Sequence, residues 1–127
     1  MILRRFFILL KFMIQIAPSM LSADFLHLAD DVRMVNENAD LFHLDVMDGS
    51  FVPNISYGFP VTDAIAKAAE KPLDVHLMIV NPEKYAVKFV ENGASMVSFH
   101  LEAVESDEKA SRIIREIQNA GAKAGLV

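Results

Sequence analysis

Apolar and polar residues in this chain recur with two periods. In 41–47, Phe42, Leu44 and Val46 alternate with His43, Asp45 and Met47. A period of two places each set on its own face of a β-strand. The stretch 73–79 repeats the arrangement, with His76 and Met78 sharing a face. Shorter apolar runs predict strands over 14–20, 95–102 and 122–127. The intervening segments follow a helical period. Phe25, Leu28, Val32 and Val35 form one stripe over 25–38, with Asp24 placed to cap it. Pro60 stands near the start of a predicted helix over 59–69. A helix over 82–91 is stopped by Asn92-Gly93. Another over 107–119, with Ala110, Ile113, Ile114 and Ile117 inward, stops near Gly121. A turn-rich loop covers 48–58.

Strand and helix in alternation predict an α/β fold with a parallel sheet and right-handed crossovers. A doubly wound sheet and a TIM (β/α)8 barrel both satisfy that order. Doubly wound strands tend to be apolar on both faces, whereas barrel strands keep distinct inner and outer faces. The polar set His43, Asp45 and His76 favours the barrel. No glycine follows the first predicted strand at Ser19-Met20-Leu21-Ser22, which weakens a dinucleotide-binding reading. A full barrel has eight strands and usually at least ~200 residues. The 127 residues supply the first four to five βα units. The expectation is a truncated sequence or a half-barrel that pairs with something.

Composition narrows the function. Hydrophobic residues make up 53%, too many for a disordered chain. A net charge of -5 without a basic stripe argues against nucleic acid. The absence of cysteine leaves only histidine and carboxylate as metal ligands. Residues 1–13 carry Arg4 and Arg5 before Phe6-Phe7-Ile8-Leu9-Leu10, and Lys11 ends that run far short of the ~20 residues a membrane span needs. No small-residue cleavage site follows before the first strand. These residues are expected to be an extension, or a misplaced start with Met13 as the natural beginning. A cytoplasmic, non-membrane protein is the default expectation, and 14–127 is the barrel domain.

Barrel active sites lie at the C-terminal ends of the strands. Ser19, His43, Asp45 and His76 all fall there. Adjacent strands are ~5 Å apart, so side chains from two of them can share an ion. One inward histidine alone is more often a hydrogen-bonded core residue. Asp45 resists that reading, because an enclosed carboxylate is costly unless paired or bound to a cation. Together, His43, Asp45 and His76 are candidate metal ligands. Met47 and Met78 are either core filler or an apolar wall beside the site. Asp48, followed by Gly49, reads first as a turn residue. His100 and Glu102 alternate near a strand end, either as partners that orient the ligands or as a self-satisfied pair. His27 lies on the first helix and is expected to be solvated.

The segments Ile16-Ala17-Pro18-Ser19-Met20-Leu21-Ser22-Ala23-Asp24, His43-Leu44-Asp45-Val46-Met47-Asp48-Gly49, Phe51-Val52-Pro53-Asn54, Asp74-Val75-His76-Leu77-Met78 and Phe99-His100-Leu101-Glu102-Ala103 occur in that order. This set resembles the ribulose-phosphate 3-epimerase family from Ile16 onward. The resemblance implies a ribulose-phosphate-binding barrel interconverting D-ribulose 5-phosphate and D-xylulose 5-phosphate, in the pentose phosphate and Calvin pathways. It matches His43, Asp45 and His76 to three of four ligands for one divalent cation (Fe, Zn, Mn or Co). It matches Asp45 to one of two acid/base carboxylates, and Ser19 and His76 to substrate contacts. The expected partner is a pentulose 5-phosphate, and the full-length protein is expected to be a homo-oligomer.

The family's second catalytic aspartate and its phosphate-gripping glycine loops have no match here, so the 127-residue chain alone is expected to be inactive. Two alternatives are an epimerase for D-allulose 6-phosphate and a half-barrel that only associates. Related decarboxylase and synthase barrels carry Asp-x-Lys-x-x-Asp, whereas Asp45-Val46-Met47-Asp48 has no lysine.

Overall fold

The computed structural model describes residues 14–127, and the extension expected over 1–13 lies outside them. Four parallel strands lie side by side in chain order: β1 (Phe42–Met47), β2 (Leu73–Met78), β3 (Ala94–Phe99) and β4 (Lys123–Leu126). Between and before them run α1 (Leu28–Asn38), α2 (Phe59–Ala68), α3 (Pro82–Glu91) and α4 (Asp107–Asn119). A doubly wound sheet reverses strand order at a switch point. No reversal occurs among these four. Phe42, Leu44, Val46, Val75, Leu77, Val97 and Phe99 are buried in one core with Val32, Ile65, Phe89, Ile113 and Ile117 of the helices. The helices therefore cover one face of the sheet, as in a partial TIM-type barrel.

The opposite face carries the chemistry. The register sets His43 beside Asp74, Asp45 beside His76, and Met47 beside Met78. Those six alternate with the core residues and are half-buried. At the far side of this face, Gly125 pairs with Ser98. A Cβ on Gly125 would stand 2.9 Å from the Ser98 Cβ, so the close approach of the strands requires glycine there.

Three boundaries differ from expectation. The strand predicted over 14–20 contracts to a single parallel bridge between Ser19 and His43. The His43 N–H donates to the Pro18 carbonyl at 3.0 Å. Pro18 has no N–H to return, so the ladder cannot continue. The chain instead tightens into a 3-10 turn, Met20–Ser22, which buries Met20.

The first helix starts at Leu28, not Phe25. The Asp24 carboxylate accepts the Leu26 N–H at 2.9 Å and pairs with His27 Nδ1 at 2.8 Å. This local turn competes with helix, leaving Phe25 outside the stripe and exposed. His27 is the N-cap residue rather than a helix-face residue, and it is exposed.

Finally, β3 ends at Phe99, and Leu101–Ala103 form a 3-10 turn. His100 and Glu102 therefore do not alternate on a strand. The Glu102 side chain is exposed. The helix stops follow expectation: Gly93, after α3, has φ of 102°, a value glycine reaches without strain.

Leu44 is fully buried on the helix-facing side of β1. Leu44→Ala is expected to cost about 2–5 kcal/mol, read as a lower urea midpoint at unchanged slope. An unchanged midpoint would contradict this placement of the core.

Candidate metal centre

The site begins with a carboxylate held from several sides. Asp45 projects from the middle of β1 onto the polar face, and its side chain is 14% exposed. Its Oδ1 lies 3.2 Å from His43 Nε2 and 3.3 Å from His76 Nδ1. Its Oδ2 accepts a hydrogen bond from the Ser19 hydroxyl. The Ser19–His43 bridge brings that hydroxyl to the sheet, and the same oxygen accepts the Leu21 N–H at 3.2 Å. Four residues singled out from the sequence (Ser19, His43, Asp45 and His76) therefore converge.

The two histidines are held differently. His43 Nδ1 is 2.9 Å from Asp74 Oδ2. A carboxylate only accepts, so Nδ1 carries the proton in the neutral ring and the Nε2 lone pair is turned toward Asp45. The Asp74 hydrogen bond pushes the His43 pKa up from its ordinary value. Burial opposes that rise, and the charges of Asp45 and Asp74 add to it. His76 moves the other way. Burial pushes its pKa down, helped by the neighbouring His100 and His43, while Asp45 works against the change. The centre thus pairs one histidine that holds its proton firmly with one that releases it readily.

Asp74 was not among the residues singled out for function. Its signal was its place two residues before His76, on the same face of β2. Its pairing with His43 depends on the strand register. Ser56 is a second such residue. Its hydroxyl donates to the Asp45 carbonyl at 2.6 Å and accepts the Met47 N–H at 2.9 Å, latching the loop after β1 onto the strand.

Asp48 anchors that loop. Its Oδ1 accepts the N–H groups of Ser50 at 2.8 Å and Phe51 at 2.9 Å, and its Oδ2 accepts that of Val80 at 2.8 Å. Burial works against its charge, yet the Phe51, Val80 and Ser50 donors hold its pKa below the usual carboxylate value. Met47 and Met78 stand next to the Asp45 and His76 row, toward the C-terminal ends of the strands.

His43, Asp45 and His76 each offer a ligand atom, and these atoms all lie within 4.8 Å of one another. An ion with bonds of about 2.0–2.2 Å can bridge such separations with small side-chain adjustments. Two imidazoles and a carboxylate are a donor set suited to a divalent transition metal. The enclosed, multiply contacted carboxylate supplies negative charge for it. The residues present therefore fit a metal ion. Among the described residues, no helix is long and apolar enough to cross a membrane.

Known proteins resemble this chain along most of its length. Residues 15–127 match the model of the ribulose-phosphate 3 epimerase family. The chain is 48% identical over 111 residues to a protein of Mycobacterium tuberculosis named ribulose-phosphate 3-epimerase, covering 87% of this chain and 47% of the relative. It is 49% identical over 115 residues to the Synechocystis protein of that name, covering 90% and 50%. With the Bacillus subtilis protein of that name it shares 44% identity over 116 residues, covering 91% and 52%. The chain spans about half the length of these curated relatives. With the family model matching nearly all of the described residues, and identity close to one half against each relative, this chain belongs to the ribulose-phosphate 3-epimerase family.

Proposed function

We propose that this chain contributes one acid/base carboxylate and three cation ligands to a metal-dependent 3-epimerase, which interconverts D-ribulose 5-phosphate and D-xylulose 5-phosphate in the pentose phosphate pathway. The observation that carries this reading is Asp45, enclosed between His43, His76 and Ser19 on the half-buried face of the sheet.

Epimerisation at C3 removes a proton beside a carbonyl and returns it to the opposite face. In the proposed role, Asp45 takes that proton. The Ser19 hydroxyl on Oδ2 fixes the direction of the carboxylate. His43 and His76 hold the cation with Asp45, and Asp74 fixes the His43 ring from behind. When bound, a divalent cation (Fe, Zn, Mn or Co) supplies positive charge to offset the negative oxygen of an enediolate, worth several kcal/mol. Met47 and Met78 form an apolar wall that keeps water and stray protons from the reacting carbon. Ser19 and His76 are the proposed substrate contacts.

A second acid/base group must serve the other face. Asp74 is committed to His43 and lies one row farther from the C-terminal ends of the strands than Asp45, so that role is not given to it. One carboxylate is thus available among the described residues, which supports low activity for the 127-residue chain on its own. A homo-oligomeric full-length enzyme completes the proposal. A charged sugar phosphate does not cross a bilayer unaided. Enzyme and substrate therefore share a compartment, proposed to be the cytoplasm.

Zinc titration tests the ligand set. The chain is expected to bind zinc, and His43→Ala, Asp45→Asn and His76→Ala each to weaken binding by at least the roughly 10–100-fold typical of losing a supporting partner. Protons compete with the cation for His43. Because its pKa is raised, affinity should fall on acidification from a higher pH than an ordinary histidine, near 6.5, would cause. Asp74→Asn should move that fall to lower pH. Unaltered affinity in the His43, Asp45 and His76 variants would sink the ligand assignment.

Proton exchange tests the chemistry. With ribulose 5-phosphate and zinc in deuterated water, NMR is expected to show slow deuterium entry at C3 that Asp45→Asn abolishes, with little xylulose 5-phosphate formed. Exchange no faster with the chain than with zinc alone would overturn the base assignment. Net inversion at an ordinary enzymatic rate, roughly 1–10³ s⁻¹, would overturn the one-carboxylate reading.

A further inference from the structure

His100 is the histidine of this centre that the proposed chemistry leaves without a task. It follows directly on β3, and its Nε2 lies 2.8 Å from His76 Nε2. The two ring centroids are 4.9 Å apart and the planes differ by 29°. With the nitrogens so close, the two rings meet edge to edge, nitrogen against nitrogen. The Phe51 ring packs on His100 from the loop after β1, at 4.9 Å between centroids. The His100 side chain is largely buried.

A contact of 2.8 Å between two imidazole nitrogens admits one arrangement of protons. One nitrogen donates and the other accepts, because two lone pairs or two N–H groups face to face would repel. A neutral imidazole carries a single N–H. The other nitrogen of His76, Nδ1, faces Asp45 Oδ1 at 3.3 Å, on the side of the candidate cation. A nitrogen that binds a cation must present its lone pair. With a cation bound, the proton of His76 resides on Nε2 and His100 Nε2 is its acceptor; without one, Asp45 Oδ1 draws the proton to Nδ1. The N–H of His100 is left on Nδ1, with Glu102 Oε2 at 3.8 Å and largely in solvent.

We propose that His100 is a positioning residue: by accepting the Nε2–H of His76, it holds His76 in the tautomer that turns Nδ1 toward His43 and Asp45. This inference rests on the metal reading above and adds the means by which one ligand is aimed. The two ligand histidines are then supported by unlike partners. Asp74 holds His43 with a full negative charge, whereas His100 holds His76 with a neutral acceptor.

Two substitutions separate accepting from packing. His100→Phe keeps a planar ring against Phe51 and removes the acceptor. His100→Gln keeps an acceptor oxygen at a similar reach and removes the ring. Zinc affinity, measured by competition with a chromophoric chelator, is expected to fall roughly 10–100-fold in His100→Phe and to stay within a few-fold of wild type in His100→Gln. In the zinc-loaded wild-type chain at pH 8, nitrogen-15 shifts of His76 should report the N–H on Nε2 and none on Nδ1. Affinity that follows ring packing, retained in Phe and lost in Gln, would overturn the proposal. So would a zinc-loaded wild-type His76 that keeps its proton on Nδ1, a reading that needs no variant to fold. A wild-type chain that takes up no zinc overturns the metal reading and this inference with it, whereas zinc uptake with the His76 proton on Nδ1 overturns this inference alone.

Discussion

Side chains on a strand alternate between two faces. A shift of β1 by one residue would therefore turn His43, Asp45 and Met47 into the helix layer and expel Phe42, Leu44 and Val46. Everything at the centre depends on that not happening. The fully buried Phe42 and Leu44 make such a slip expensive, since each would lose its place among the helices. The same apolar residues that hold the sheet to the helices thereby dictate which side chains oppose one another across β1 and β2. The row His43–Asp74 lies beneath the row Asp45–His76, and Met47–Met78 lies above it. Asp74 with the candidate ligand His43, the candidate ligands Asp45 and His76, and the two methionines are stacked in three layers by a hydrophobic pattern with no chemistry of its own.

Within this grid, electrostatics separates two side chains of the same type. His43 has a carboxylate behind it and another in front, so its charged form is favoured. His76 shares Asp45 but is desolvated by burial, has another imidazole behind it and lies near His43, so its charged form is disfavoured. Asp45 thus faces one proton-rich and one proton-poor neighbour. Such a carboxylate would be costly in isolation. Its two histidines and the Ser19 hydroxyl make the enclosure tolerable, and a divalent cation would neutralise it further.

Most of the architecture was legible because its signals were periodic. Four of the five expected strands and all four helices lie where apolar periodicity put them. The boundary errors share one cause, local hydrogen bonding that periodicity does not register. Pro18 withheld a ladder donor, Asp24 made a turn in place of a helix cap, and the chain after Phe99 tightened into a 3-10 turn. At the centre, the convergence of His43, Asp45 and His76 followed from alternation and strand adjacency. Asp74 was visible only as a residue on the correct face. Assigning it to His43 required knowing which residue of β2 lies opposite. Ser56 had no signal at all, because its contact with the Asp45 carbonyl is created by loop closure over 11 positions.

The bridge at Ser19 bears on how the parts of this centre can come apart. The candidate ligands His43, Asp45 and His76 are built into paired strands of the sheet, whereas Ser19 is joined to β1 by one bridge beside a proline. Free energies of local opening follow how many bonds must break together. Losing the Ser19 bridge would free Asp45 Oδ2 with the ladder of β1 and β2 intact, at the cost of drawing Met20 out of the core. The centre is graded in sheet support: the trio suited to an ion stands on full ladders, and the hydroxyl proposed to meet the sugar has a single bridge behind it.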